Sequence, residues 1–198
     1  MSIKFRLTII NFLQFFIWGA YLTSIGGYMY ATLHFQGEEI GTVFLTLGIA
    51  SIFMPPLLGI VSDKWINAER LLGIMHLVGA AALYYASTVT TPTTMFWAML
   101  LVCAAYMPTI SLNNTVSYYV LKSHGMEPQK DFPPIRVWGT IGFIAAMWLT
   151  DLFHLTLTKG QLLFACGSSI ITGLYCFTLP YCKPANTKSS SLAEAFGL

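Results

Sequence analysis

The run FPPIRVWGTIGFIAAMWLT, residues 132–150, is apolar except for one full charge, Arg136. The next charge along the chain is Asp151. A helix between the two covers about 21 Å at 1.5 Å per residue, short of the roughly 30 Å hydrocarbon core of a bilayer. With Asp151 at one interface, Arg136 lies about 9 Å inside the other, where a charge costs about 2.5–3.5 kcal/mol even on the lenient insertion scale. Such a cost marks a pathway or a binding site.

The rest of the chain is as apolar as this run. Its 198 residues are 9% charged and 56% hydrophobic, with 15% aromatic, and its mean hydropathy is +0.66; soluble domains carry about 25% charged residues. The composition predicts an all-α integral membrane protein. Charge-free stretches of spanning length run over 7–33, 40–62, 71–89, 95–121, 132–150 (Arg136 excepted) and 161–181, which predicts six transmembrane helices. The third and fourth are separated by Thr90-Thr91-Pro92-Thr93-Thr94, a turn because proline blocks continuation of the preceding helix. The first span is too long for the apolar region of a signal peptide and is expected to be retained.

Six spans place both ends of the bundle on one side. With that side cytoplasmic, Lys4, Arg6, Lys64, Arg70, Lys122, Lys130, Lys183 and Lys188 face inward and Lys159 faces out, as the positive-inside rule demands. The net charge of +2 reflects this topology, and no basic patch remains to bind nucleic acid. Cys103, Cys166, Cys176 and Cys182, like His34, His76, His124 and His154, have no ligand-like spacing, so neither a metal nor a cofactor is expected.

Residues 7–89 and 95–181 form two groups of three spans, the three-plus-three arrangement that transporters build as inverted repeats. Residues 1–182 are expected to form one six-helix domain. Residues 183–198 are polar and linker-like until an amphipathic stretch begins at Leu192. Six helices followed by a linker are what the first half of a twelve-helix carrier presents, with a second, C-terminal half to follow.

At 100° per residue Arg136, Thr140, Phe143 and Met147 lie within about 60° of one another and form a stripe. Gly142 and Ala146 make a small-x-x-x-small pair suited to close packing, while Val137, Ile141, Ile144 and Trp148 suit lipid. In the first span Gln14, Trp18 and Tyr21 share an arc with Ile25 and Tyr28. In the fourth, Tyr106, Thr109, Asn113 and Ser117 do so. Polar side chains in lipid-embedded helices turn inward; they line a wet cavity or bond between helices. His76 is expected to hydrogen-bond a neighbouring helix. No Asp or Glu lies securely inside a span, and an arginine cannot release its proton. A proton-driven carrier of this kind would therefore hold its titrating carboxylate elsewhere.

Gly59-Ile60-Val61-Ser62-Asp63-Lys64 resembles the loop motif of the major facilitator superfamily. The motif continues there with a glycine and a basic cluster, where this chain has Ile66-Asn67-Ala68 before Glu69-Arg70. Phe12-Leu13-Gln14-Phe15, Trp18-Gly19, Phe53-Met54-Pro55, Ala105-Tyr106-Met107-Pro108-Thr109, Ser117-Tyr118-Tyr119 and the segment 131–143 together resemble bacterial nucleoside permeases of the nucleoside:proton symporter family, across essentially the whole chain. The resemblance implies half of a twelve-helix major facilitator fold in the cytoplasmic membrane, carrying nucleosides inward with a proton. It implies substrate contacts at Arg136, Thr140 and Phe143, and a gating role for the loop at Asp63 and Lys64. The polar faces add Gln14, Trp18, Tyr21, Tyr106, Asn113 and Ser117 as candidate cavity-lining residues. Related carriers of sugars or oligosaccharides also use an arginine in the fifth helix, which leaves a sugar:proton symporter as the nearest alternative. A self-contained six-helix channel or membrane enzyme lacks a filter segment, paired carboxylates or an activated nucleophile.

Overall fold

The structure is a computed structural model that describes residues 2–183. These form seven helices in the order α1 (Ile3–Gly19), α2 (Ile25–Ala31), α3 (Gly37–Lys64), α4 (Ala68–Ala86), α5 (Pro92–Ser123), α6 (Pro128–Leu152) and α7 (Gly160–Cys176). α3, α5 and α6 are long and apolar enough to cross a membrane, and α7 is a shorter apolar helix. The tail from residue 184 onward, including the stretch from Leu192, lies outside the described residues.

Two elements differ from the sequence reading. The stretch 7–33, expected as one helix, is divided into α1 and α2 by a turn over Ala20–Ser24. There the Tyr21 and Ser24 amides bond only three residues back, to Trp18 and Tyr21, before the four-residue pattern resumes at Ile25. The turn is tightened rather than broken, and it is held from outside: Thr150 donates to the Ala20 carbonyl at 3.2 Å and Ser24 to Gln161 Oε1 at 2.7 Å. The fifth expected span begins earlier than residue 132. Pro128 opens α6 at a position where its missing N–H is no loss, and Pro133 and Pro134 continue inside the helix. Arg136 therefore lies more than two turns inside α6, beyond reach of the dipole at its N-terminus.

The predicted turn before α5 takes a simple form: the Thr91 hydroxyl accepts from the Thr94 amide and Pro92 begins the helix. α5 packs against α3 and α4, while α1 packs on α6 and α7, and α4 on α7. The α1–α6 seam is the closest. A Cβ on Gly142 would run into the Phe12 carbonyl, and one on Gly19 into the Phe143 carbonyl. Absence of side chains at these points lets the two backbones touch, as the small pair Gly142 and Ala146 predicts.

Two apolar clusters fill the interior. One is built around Tyr21, Met29, Met95, Met99 and Leu162. The other, around Leu7, Leu72, Val116, Leu121 and Ile135, occupies the end where α1 begins and α7 finishes. That end is tied by Lys4 to Asp131 at 2.6 Å and by the Cys182 amide to the buried Glu69 carboxylate at 3.1 Å.

Candidate functional site

Between the two apolar clusters lies a band of buried polar side chains. Gln14 Nε2 donates to Thr109 Oγ1 at 2.7 Å, Gln14 Oε1 lies 2.9 Å from His76 Nε2, and the Tyr106 hydroxyl donates to the Gln14 carbonyl at 2.6 Å. One turn away Asn113 donates to Asn11 Oδ1 at 3.0 Å, and Asn11 donates to Ser117 at 3.3 Å. Gln14, Asn11, Thr109 and Ser117 are wholly enclosed. In an apolar interior such groups persist only when partnered. Among the described residues, three buried side-chain atoms nevertheless lack a partner: Trp18 Nε1, Asn113 Oδ1 and Asn114 Oδ1.

The Arg136 stripe runs along the edge of this band. α6 buries Phe132, Ile135, Gly139, Gly142, Ala146 and Thr150 and exposes Val137, Ile141, Ile144 and Trp148. Arg136, Phe143 and Met147 are half-buried at the boundary, and Thr140 is exposed beside them. The Arg136 guanidinium carbon stands 3.9 Å from the centre of the Phe15 ring, a cation–π contact. No carboxylate among the described residues pairs with it. Phe143 meets Trp18 edge-on at 6.3 Å, and Trp18 leans on Tyr106 at 5.6 Å.

The structure thus brings Arg136, Thr140, Phe143, Trp18 and Tyr106 into one neighbourhood. Gln14 stands directly behind Tyr106, while Asn113 and Ser117 sit one turn deeper, bonded between helices. Tyr21 is buried in the same apolar cluster as Tyr106, beside Val43 and Thr46 of α3 and Cys103 of α5. Asp63 and Lys64 occupy the last turn of α3, remote from the stripe in sequence and element. Phe15 and Gly139 carry no functional assignment from sequence, nor does the pairing of His76 with Gln14. Each depends on which helices become neighbours, and only the aromatic run at Phe12, Phe15 and Phe16 hinted at the first.

Arrangements of this kind, with a fixed cation, a hydroxyl and aromatic edges at the rim of a polar core, suit an uncharged ligand that has both a flat ring and hydrogen-bonding groups. A family model described as nucleoside H+ symporter matches residues 1–198. The chain is 50% identical over 199 aligned positions to the xanthosine permease of Escherichia coli K12, covering 100% of this chain and 48% of that one. It is 48% identical to the nucleoside permease NupG of the same organism, over 96% of this chain and 46% of that one. A crystal structure of a point mutant of the nucleoside transporter NupG superposes with a TM-score of 0.96 at 47% identity, covering 99% of this chain and 49% of that one. A second NupG crystal structure gives 0.90. The chain spans about half the length of the curated relatives it matches. On sequence and on fold alike, this all-helical membrane bundle belongs to the nucleoside:H+ symporter family.

Proposed function

We propose that this chain provides the N-terminal half of a nucleoside:proton symporter of the cytoplasmic membrane. α1 and α2 together make the first of six passes, arranged three plus three. A second, C-terminal bundle completes the carrier, and the substrate site lies between the two and opens to either side in turn. The observation that carries this reading is the Arg136 stripe: a half-buried cation without a carboxylate, stacked on Phe15, with Thr140 and Phe143 beside it at an uncovered edge.

Nucleosides match that edge. Phe143 offers a face to the base, and Arg136 and Thr140 offer donors to hydroxyl or carbonyl oxygens of an uncharged substrate. Arginine is then a hydrogen-bonding fork rather than a counter-ion. The proton travels on a carboxylate outside this bundle, and the chain needs no cofactor. Trp18 and Tyr106 line the site; Gln14, Asn113 and Ser117 hold α1 and α5 in position behind it. Asp63 and Lys64 form part of a cytoplasmic gate. The end of the bundle that carries Lys4, Lys64, Lys122 and Lys183 faces the cytoplasm, on the positive-inside bias.

Cells producing the full-length protein are expected to take up labelled uridine and adenosine. The uptake should be competed by unlabelled nucleosides but not by sugars, and collapsed by a protonophore. No nucleoside uptake from correctly inserted protein overturns the proposal.

A further inference from the structure

Arg136 raises a problem that its role in the site does not solve. A guanidinium held inside a membrane bundle needs its charge stabilised, yet a carboxylate partner would occupy two of its five in-plane N–H donors, the groups a substrate must use. An aromatic face stabilises the cation from above and leaves the plane free. Phe15 supplies that face, 3.9 Å from the guanidinium carbon, and is itself 93% enclosed, its relative exposure being 7%.

What brings ring and cation together is a missing side chain. A Cβ at Gly139 would stand 2.6 Å from Phe15 Cδ2 and 2.7 Å from Arg136 Nη1, closer than real atoms approach. Gly139 follows Arg136 by three positions on the same face of α6. The slot is rigid, because Phe12 and Gly19, on either side of Phe15 in α1, touch the α6 backbone at Gly142 and Phe143. Ring, slot and guanidinium are therefore fixed in register by the same seam that holds the bundle.

We propose that Phe15 and Gly139 are positioning residues of the nucleoside site, which hold the Arg136 guanidinium by its face so that its in-plane donors point at substrate. The inference rests on the reading of Arg136 as a substrate residue. It assigns the ring electrostatics, and not only the ring volume, to substrate affinity.

The test replaces Phe15 in the full-length protein with mono-, tri- and pentafluorinated phenylalanine, which drains the ring face of charge with little change of shape. Uridine binding is measured by calorimetry alongside thermal melting. Affinity is expected to fall stepwise with fluorination, by about tenfold over the series, while the melting point stays level. Phe15→Leu should match the pentafluorinated protein, and Gly139→Ala should weaken binding by displacing the pair. Affinity that is flat across the fluorinated series, in a protein where Arg136→Ala abolishes binding, overturns the role of Phe15 and leaves the site in place. Unchanged binding in Arg136→Ala would instead remove the site on which the inference rests.

Discussion

Gln14 and His76 meet inside the bundle with Gln14 Oε1 2.9 Å from His76 Nε2. The Thr109 hydroxyl donates to the Tyr106 carbonyl and so presents a lone pair to Gln14 Nε2. This fixes the amide with its oxygen toward the imidazole, and His76 must carry its hydrogen on Nε2. α1, α4 and α5 are joined at one point by a single side chain.

Cutting that joint should show in stability first. His76→Leu leaves Gln14 Oε1 buried without a donor, at a cost between about 0.6 kcal/mol, the average for hydrogen bonds in membrane bundles, and about 3 kcal/mol. The purified protein should melt at lower temperature yet keep measurable nucleoside binding. An unchanged melting point would contradict the joint.

Glycines on the α1–α6 seam and elsewhere should behave in opposite ways. A Cβ at Gly142 meets Phe12 backbone, which cannot move cheaply, whereas one at Gly79 meets Ala105 Cβ at 3.6 Å and Ser169 Oγ at 3.8 Å, ordinary contacts. Gly142→Ala should lower yield and melting temperature. Gly79→Ala should be neutral or stabilising by up to about 1 kcal/mol, the helix preference for alanine. Equal tolerance at both positions would refute the close seam.

At the end of the bundle where α1 begins, burial, with the Glu69 carboxylate adding to it, pushes the Cys182 thiol up to about 12. Thiolate is the reactive form and is nearly absent at neutral pH. Iodoacetamide should therefore leave Cys182 unmodified in folded protein and label it after denaturation, as read by peptide mass spectrometry. Rapid labelling of the folded protein would show that the contact between Cys182 and Glu69 does not hold.

Thr140→Val removes a hydroxyl without changing shape, and Phe143→Leu removes a ring. On the usual worth of a hydrogen bond and of an aromatic contact, each should weaken uridine binding by about 3- to 10-fold. The Phe143 loss should follow the base and the Thr140 loss the hydroxyl or carbonyl it contacts. Titration of base-modified and deoxy nucleosides against both variants checks the division.

Much of α6 is legible in its sequence. The three arcs of its wheel are buried, exposed and, apart from the exposed Thr140, intermediate in the structure because a single helix fixes angles without reference to its neighbours. Partnership was not legible. The arc through Gln14 and Trp18 can be drawn from the sequence, and His76 bonds a neighbouring helix as expected, but which helix stands opposite which cannot be read from it. Local exceptions were hidden as well: the charge at Asp131 bounds the apolar stretch at residue 132, although α6 starts at Pro128. The turn at Ala20–Ser24 depends on anchors from Thr150 and Gln161, far away in sequence.

The central claim is that Arg136 is part of the nucleoside site. Calorimetric titration of uridine into the full-length Arg136→Ala protein, with wild type in parallel and membrane insertion verified, tests it most directly. Binding should fall below detection while the protein remains folded. Affinity equal to wild type would contradict the account.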